Sequence, residues 1–331
     1  MKKLSAGAAI AAALLLTACA GAPTDGGNST PAPTEQPSAS PEVTAITVGV
    51  IPTSDTATVY VAADLGFFEE EGLDVTMEVM QNAAAIVPGV MNGQVQFGSA
   101  AVPPVISAIS EGLPIRIVAN AGNVPVDAAQ DPSAILVKAD SGFDSAADLE
   151  GTTVAVNALQ AMGELATRQA IANAGGDPAL VTFVAMPFPD MANAVERGDV
   201  AAAFVVEPFL TSGVAAGLEV LATPYHDSFV PGATNAVFFA SDDFIGKAPN
   251  SVAAFQRALA KAAEAATADP DLIREALITH GKVAPEVANA INLPEYSAEV
   301  SEAAIERFIA IMVDQGFLTG TVPTVSDVIA R

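Results

Sequence analysis

The sequence predicts an α/β protein of two lobes, each a mainly parallel sheet flanked by helices. Three observations predict it. Period-two apolar runs and helix-period apolar runs take turns from residue 45 to about residue 240. The alternation passes through two similar blocks, roughly 45–137 and 138–235, each opening as strand, polar loop and helix. From about Ser251 the pattern turns helical. Strands separated by helices pair in parallel, because a parallel pair needs a long crossover and the crossover helix covers the sheet.

The N-terminus comes first. Lys2 and Lys3 make a short positive head, Ile10, Leu14, Leu15 and Leu16 lie among alanines, and small residues close the run at Leu16-Thr17-Ala18-Cys19. This is the layout of a cleaved secretory signal over residues 1–18. The run is shorter than the ~20 apolar residues of a spanning helix. Residues 20–44 hold Pro23, Pro31, Pro33, Pro37 and Pro41 and no aromatic residue. Such a segment buries too little surface to offset its ordering entropy, and reads as a flexible to semi-extended tether.

The first block opens with Ile46, Val48 and Val50 alternating as a strand. The polar loop Pro52 to Thr56 follows, with Ser54 or Asp55 suited to cap a helix through Val59 and Val61 to Asp64. Gly72 ends a short acidic helix, and Val75, Met77 and Val79 alternate as a second strand. Ile86, Val87, Val90 and Met91 have helical spacing; Val95 to Phe97 is a strand; Pro103 and Pro104 start a helix where missing N–H groups do no harm. Ile115 to Val118 and Ala134 to Val137 are strands. In the second block, Ser145 and Asp148 form a capping box, Val154 to Val156 is a strand, and the loop Asn157 to Gly163 leads into a helix stopped by Gly175-Gly176. A strand over 181–184, a helix over 191–197, a strand over 202–206 and a helix from Pro208 complete the block. A strand over 236–240 returns, and helices over 252–268, 272–279 and 300–315 close the chain.

Composition excludes several classes. Thirteen basic residues stand against 38 acidic ones, a net charge of −25, which argues against nucleic acid or an anionic lipid surface as partner. The single cysteine is Cys19, so the folded part has no disulfide, cysteine metal site or cysteine nucleophile. The two histidines, His226 and His280, lack metal-ligand spacing to a partner. No phosphate loop, dinucleotide fingerprint or nucleophile elbow occurs. No cofactor, metal or catalytic residue is expected.

Four segments together resemble a known family. They are Gly66-Phe67-Phe68-Glu69-Glu70-Glu71-Gly72-Leu73-Asp74-Val75; Gly93 to Ser99; Asp144 to Val156, with Thr152 where the family usually has Lys; and Gly198 to Ala203, followed by Glu207-Pro208-Phe209. The chain resembles the type II periplasmic-binding-protein-like solute-binding proteins of ABC importers for nitrate, sulfonates, taurine and thiamine pyrimidine precursors. Leu16-Thr17-Ala18-Cys19 is similar to the lipobox of bacterial lipoproteins. The resemblance implies a two-lobed Venus flytrap joined by two hinge strands, near Ser133–Lys138 and Asn235–Ser241. It divides the chain into signal (1–18), lipidated Cys19 with tether (19–44), first lobe (45–137 and 236–331) and second lobe (138–235). It implies a monomer held at the outer face of the cell membrane by lipidated Cys19, which captures a small organic molecule and hands it to a permease and its ATPase. A ligand-sensing receptor lipoprotein and an enzyme on the same fold are the alternatives. An enzyme would need a nucleophile or cation in the cleft loops.

Ligand candidates follow from loops at strand ends. Thr53, Ser54, Asp55 and Thr56 offer N–H groups and hydroxyls, with plain capping by Ser54 or Asp55 as the other reading. Gln81 and Asn82, and Ser99 and Ala100, lie just past strands, in loops that face the cleft in the family. Asn157, Gln160, Met162 and Gly163 form the second-lobe counterpart. Phe188 and Asp190 open a helix that Asp190 could equally cap, Glu207 precedes Pro208 either as a cleft-edge group or as a structural charge, and Asn235 lies on the return hinge. No Lys or Arg falls in these loops, so an anion would depend on helix N-termini, worth ~0.3–1 kcal/mol per charge. With no Trp, ring stacking falls to Phe188 or another Phe. A neutral or weakly charged solute of the sulfonate, pyrimidine or aromatic-acid type is expected.

Overall fold

Two parallel β–α ladders, each interrupted by one strand from the other, organise the molecule. The computed structural model describes residues 39–330; the signal, Cys19 and most of the tether lie outside them. The first sheet contains β1 (Ala45–Val50), β2 (Asp74–Val79), β3 (Phe97–Ala101), β4 (Ile115–Asn123) and β10 (Thr234–Ser241), in the order β2-β1-β3-β10-β4. The second contains β5 (Ser133–Lys138), β6 (Thr153–Val156), β7 (Thr182–Ala185), β8 (Ala202–Val206) and β9 (Leu218–Ala222), in the order β7-β6-β8-β5-β9. This is the expected α/β architecture of two helix-flanked sheets.

The exceptions to parallel pairing have a topological cause. β1 is parallel to β2 and β3, and β6 is parallel to β7 and β8. β10 is antiparallel to both its neighbours, and so is β5. Each of these two strands arrives from the other sheet. Ser133 starts opposite Val206, the last residue of β8, and Thr234 starts opposite Asn123, the last residue of β4. A strand that enters at the carboxyl end of its neighbours must run against them.

Two boundaries differ from expectation. β5, expected to end the first lobe, is a member of the second sheet, because Ser133 to Val137 are buried on both faces and need a neighbour on each side. The crossings are therefore the segments 124–132 and 229–233, and the strands expected to be hinges are sheet interior. The tether also ends sooner than residue 44. Glu42 accepts hydrogen bonds from Asn250 N (3.2 Å), Asn250 Nδ2 (2.7 Å) and Ser251 N (3.0 Å), which seats a carboxylate on the N-terminus of the helix Pro249–Ala268. β9 and the helix Pro224–Ser228 have no counterpart in the sequence reading.

The core has three parts. One face of the first sheet packs Val48, Phe97 and Phe238 against the helices Thr58–Asp64, Pro249–Ala268 and Asp271–Thr279. There Phe255 stacks on Phe97 at 3.9 Å and 6°, with Phe238 edge-on at 5.6 Å. The outer face of the second sheet packs Ile135, Val154 and Ile171. The third cluster runs through both lobes, from Val105 and Phe239 to Leu165, Phe204 and Val206. Among the described residues no helix is long and apolar enough to cross a membrane.

The crossing region is braced by the segment after the helix Pro285–Ala288. Asn123 and Glu295 exchange backbone hydrogen bonds, Asn292 Nδ2 donates to Asp131 O (3.1 Å), and Tyr296 Oη donates to Ser54 O (3.0 Å).

Candidate functional site

The carboxyl ends of β1, β3, β6 and β8 converge on a cavity of about 310 Å³ between the two sheets. That is the lower end of the size range of small-molecule sites, and the place where open α/β sheets hold ligands. The first lobe contributes Thr53, Asp55 and Thr56 from the loop after β1, Val87 from the helix Ala83–Asn92, and Ser107 and Glu111 from the helix after β3. The second lobe contributes Asn157 to Met162 from the loop after β6, Phe204 and Val206 from β8, and Phe188 and Tyr225 from helices.

The loop after β1 is held by hydrogen bonds to backbone carbonyls, not by side-chain caps. Thr53 stands at the N-cap with no side-chain hydrogen bond to the short turn Ser54–Thr56. Thr56 Oγ1 donates to Ile51 O at 2.6 Å, and Ser54 N donates to Glu207 O at 3.2 Å across the lobes. The expected capping by Ser54 or Asp55 is thus absent: Ser54 Oγ is buried without a partner among the described residues, and the Asp55 carboxylate is left for another purpose.

Asp55 sets the electrostatics. It is only 6% exposed, and it receives one long hydrogen bond, from Asn235 Nδ2 at 3.4 Å. Burial pushes its pKa up to about 6; the Asn235 bond opposes this and the Asp131 charge adds to it. Tyr225 is held far above its usual value by burial and by the charges of Asp55 and Asp131, so it remains a neutral O–H group. The cavity lining holds no Lys or Arg. Ser107 Oγ and Asn235 Oδ1 are buried polar atoms without partners among the described residues, and Ser107 lines the cavity. Thr53, Thr56, Glu111, Asn157 and Gln160 are its other polar residues, and the rest of the wall is apolar. Phe188 is its aromatic edge, stacked on Phe209 at 5.3 Å and 15°.

The structure sorts the sequence candidates. Thr53, Asp55, Thr56, Ala100, Asn157, Gln160, Met162 and Phe188 line the cavity. Asn235 stands behind the lining, on Asp55. The others fall outside the lining. Asn82 caps the helix Ala83–Asn92 through Ala85 N (3.1 Å), and Gln81 is exposed beside it. Ser99 Oγ accepts from Ile51 N at 3.0 Å. Gly163 lies so close to Phe204 that a Cβ there would meet its ring at 2.6 Å. Asp190 is exposed in the first turn of its helix. Glu207 is buried, and its carboxylate accepts from Thr211 N (3.0 Å), Thr211 Oγ1 (2.8 Å) and Asn292 N (3.1 Å), which makes it the structural charge of the two readings. Burial raises its pKa, against those hydrogen bonds.

The sequence reading missed Ser107, Glu111, Leu159, Phe204 and Tyr225. Pro104, Ser107, Ala108 and Glu111 share one stripe at helical spacing just after a cleft loop, a signal that was present. Tyr225 lies in the unforeseen helix Pro224–Ser228 and had none.

A sequence profile of the family described as "NMT1/THI5 like" matches residues 53–273, which span the elements around this cavity apart from β1. The chain belongs to the NMT1/THI5-like family. The formylaminopyrimidine-binding protein of Halalkalibacterium halodurans is 27% identical over 222 residues, 67% of this chain and 65% of that protein's length. In solved structures the fold is shared with the alkanesulfonate-binding protein SsuA of Xanthomonas axonopodis pv. citri bound to MOPS (TM-score 0.75, 18% identity, covering 88% of this chain and 99% of that one). It is also shared with the nitrate-binding protein NrtA of a Synechocystis (TM-score 0.71, 16% identity, 85% and 84%). At these identities the structures establish the fold alone. The family assignment agrees with the resemblance carried by the four sequence segments.

Proposed function

We propose that the chain is an extracytoplasmic solute-binding protein that captures a small, uncharged or cationic organic molecule with N–H donors, of the aminopyrimidine class, and delivers it to an ABC importer. One observation carries the ligand class: a buried carboxylate, Asp55, lines a cavity that also holds Glu111 and has no basic residue in its lining. A lone buried carboxylate is costly unless something with donors fills the site. A ring amine supplies donors to Asp55, Ser107 supplies a further polar contact, and Phe188 supplies a face for the ring. The relative named for a formylaminopyrimidine supports this choice. The anions named for the structural neighbours would face the Asp55 charge with no counter-charge. Binding without chemistry is the accompanying reading, because the named relatives are binding proteins. The signal and lipobox-like ending at Cys19 support a lipid anchor, with the remainder of the tether as a leash. A receptor anchored in this way meets its permease without diffusion through bulk solvent.

The test is calorimetric titration and thermal shift of the purified protein with Cys19→Ser, against a formylaminopyrimidine, MOPS and nitrate. The aminopyrimidine should stabilise the protein by about 2.7 kcal/mol at a hundred times its Kd, and MOPS and nitrate should not. Stabilisation by MOPS or nitrate alone would overturn the ligand class.

A further inference from the structure

The second-lobe loop carries a feature that ligand contact alone does not explain. Gln160 lines the cavity and holds a left-handed backbone, φ 53°, without being glycine. The only other such residue among the described ones is Lys282, far from the cleft loops in sequence. A non-glycine residue stays in this region only when its surroundings over-determine it. Here the restraint is a single side chain: Gln160 N donates to Glu164 Oε2 at 2.8 Å. Ala161, at the N-cap of the helix Met162–Asn173, makes no side-chain cap of its own.

Glu164 is itself held. It is 6% exposed, and its other oxygen accepts from Arg168 Nε at 2.8 Å and lies 2.7 Å from Arg168 Nη2. Arg168 sits over the Phe183 ring at 4.8 Å and donates to Pro178 O at 3.3 Å. The chain Phe183–Arg168–Glu164–Gln160 thus ties the strand behind the helix to the loop in front of it.

We infer that Glu164, oriented by Arg168, is a positioning residue for the ligand: through Gln160 N it fixes the loop Asn157 to Ala161 over the cavity. The charge consequence follows directly. Each lobe then presents its own carboxylate at the loop leading into its helix, Asp55 in one and Glu164 in the other; both oxygens of Glu164 are engaged, and of the two Asp55 keeps accepting capacity for a solute. The affinity arm of this inference rests on the ligand reading above; the loop arm does not.

The experiment uses the full chain with Glu164→Ala and Glu164→Gln. Amide exchange at Gln160 reads the loop without any ligand. Exchange should speed up about tenfold or more in E164A, the effect of one lost hydrogen bond to a charged group, and stay near wild type in E164Q, whose amide oxygen still accepts. Affinity for a formylaminopyrimidine should fall about tenfold in E164A and recover in E164Q. A purely fold-stabilising Glu164 would lower the Tm of E164A yet leave Gln160 exchange and affinity unchanged at temperatures below the transition, and that result would overturn the inference. If wild type binds no aminopyrimidine, the ligand class falls, and the Gln160 exchange still decides whether Glu164 holds the loop.

Discussion

Asp55 shows at the scale of one residue how a binding site is paid for in stability. Its pKa rises from 3.8 to about 6, so the folded state prefers the protonated form. The sign follows: stability from this group is full below the unfolded value near 3.8, and is lost as pH rises to about 6. Beyond that the loss is constant, about 3 kcal/mol at 1.36 kcal/mol per unit. Asp55→Asn keeps the Asn235 contact and removes the charge. The melting temperatures of variant and wild type should therefore coincide near pH 4, separate through pH 6 with the variant higher, and stay apart by several degrees above it. The same substitution should weaken aminopyrimidine binding by about tenfold or more, the loss of a charge-assisted hydrogen bond. Wild-type affinity should itself drop below pH 6, as Asp55 takes up its proton. Calorimetry from pH 4 to pH 8 checks both. A variant that is less stable than wild type at pH 8 would refute the account of the site as strained by charge.

At the scale of the element, close packing sets the cavity wall. Gly163 opens the helix Met162–Asn173 against Phe204, a buried residue of β8 that also lines the cavity. Gly163→Ala places a methyl group inside the contact distance of that ring. It should cost about 1–3 kcal/mol by chemical denaturation, and lower ligand affinity as Phe204 moves into the cavity. Loss of affinity with no loss of stability would mean that the ring yields freely. Elements of this kind were legible in the sequence where their patterning is strong. The alternation of Ile46, Val48 and Val50, the box at Ser145 and Asp148, and the Gly72 stop all stand where they were expected. β9 was not legible, because its five residues include Glu219 and only a brief alternation. Part of each cavity wall was legible for the same reason: loops after strands announce themselves by composition. Ser107 and Phe204 look like any helix or strand interior until a second lobe faces them.

At the scale of the whole molecule, the proposed function gives two kinds of residue a part in affinity, and they can be told apart. Asp55 touches the cavity; Glu207 does not. Glu207 instead joins the lobes: its backbone carbonyl holds Ser54, its backbone N–H donates to Pro132 O in the first crossing, and its carboxylate takes three donors from Thr211 and Asn292. Glu207→Gln turns an amide N–H₂ toward at least one of those donors. It should cost about 1–3 kcal/mol of stability, the penalty for a buried unsatisfied group. Its effect on binding has a different form from that of Asp55→Asn. A change in how the lobes are held alters the fraction of molecules competent to bind, and so multiplies every Kd by the same factor. A change in a contact group alters only the ligands that use it. Across a series of aminopyrimidines with and without the ring amine, E207Q should therefore shift all affinities in parallel, and D55N should compress the difference between them. The sequence placed both carboxylates among the candidates on equal terms, since each follows a strand. What separates them is a count of donors: three on the carboxylate of Glu207, one long bond on Asp55. On the proposed function Asp55, buried in the cavity with accepting capacity to spare, is the group that selects the solute.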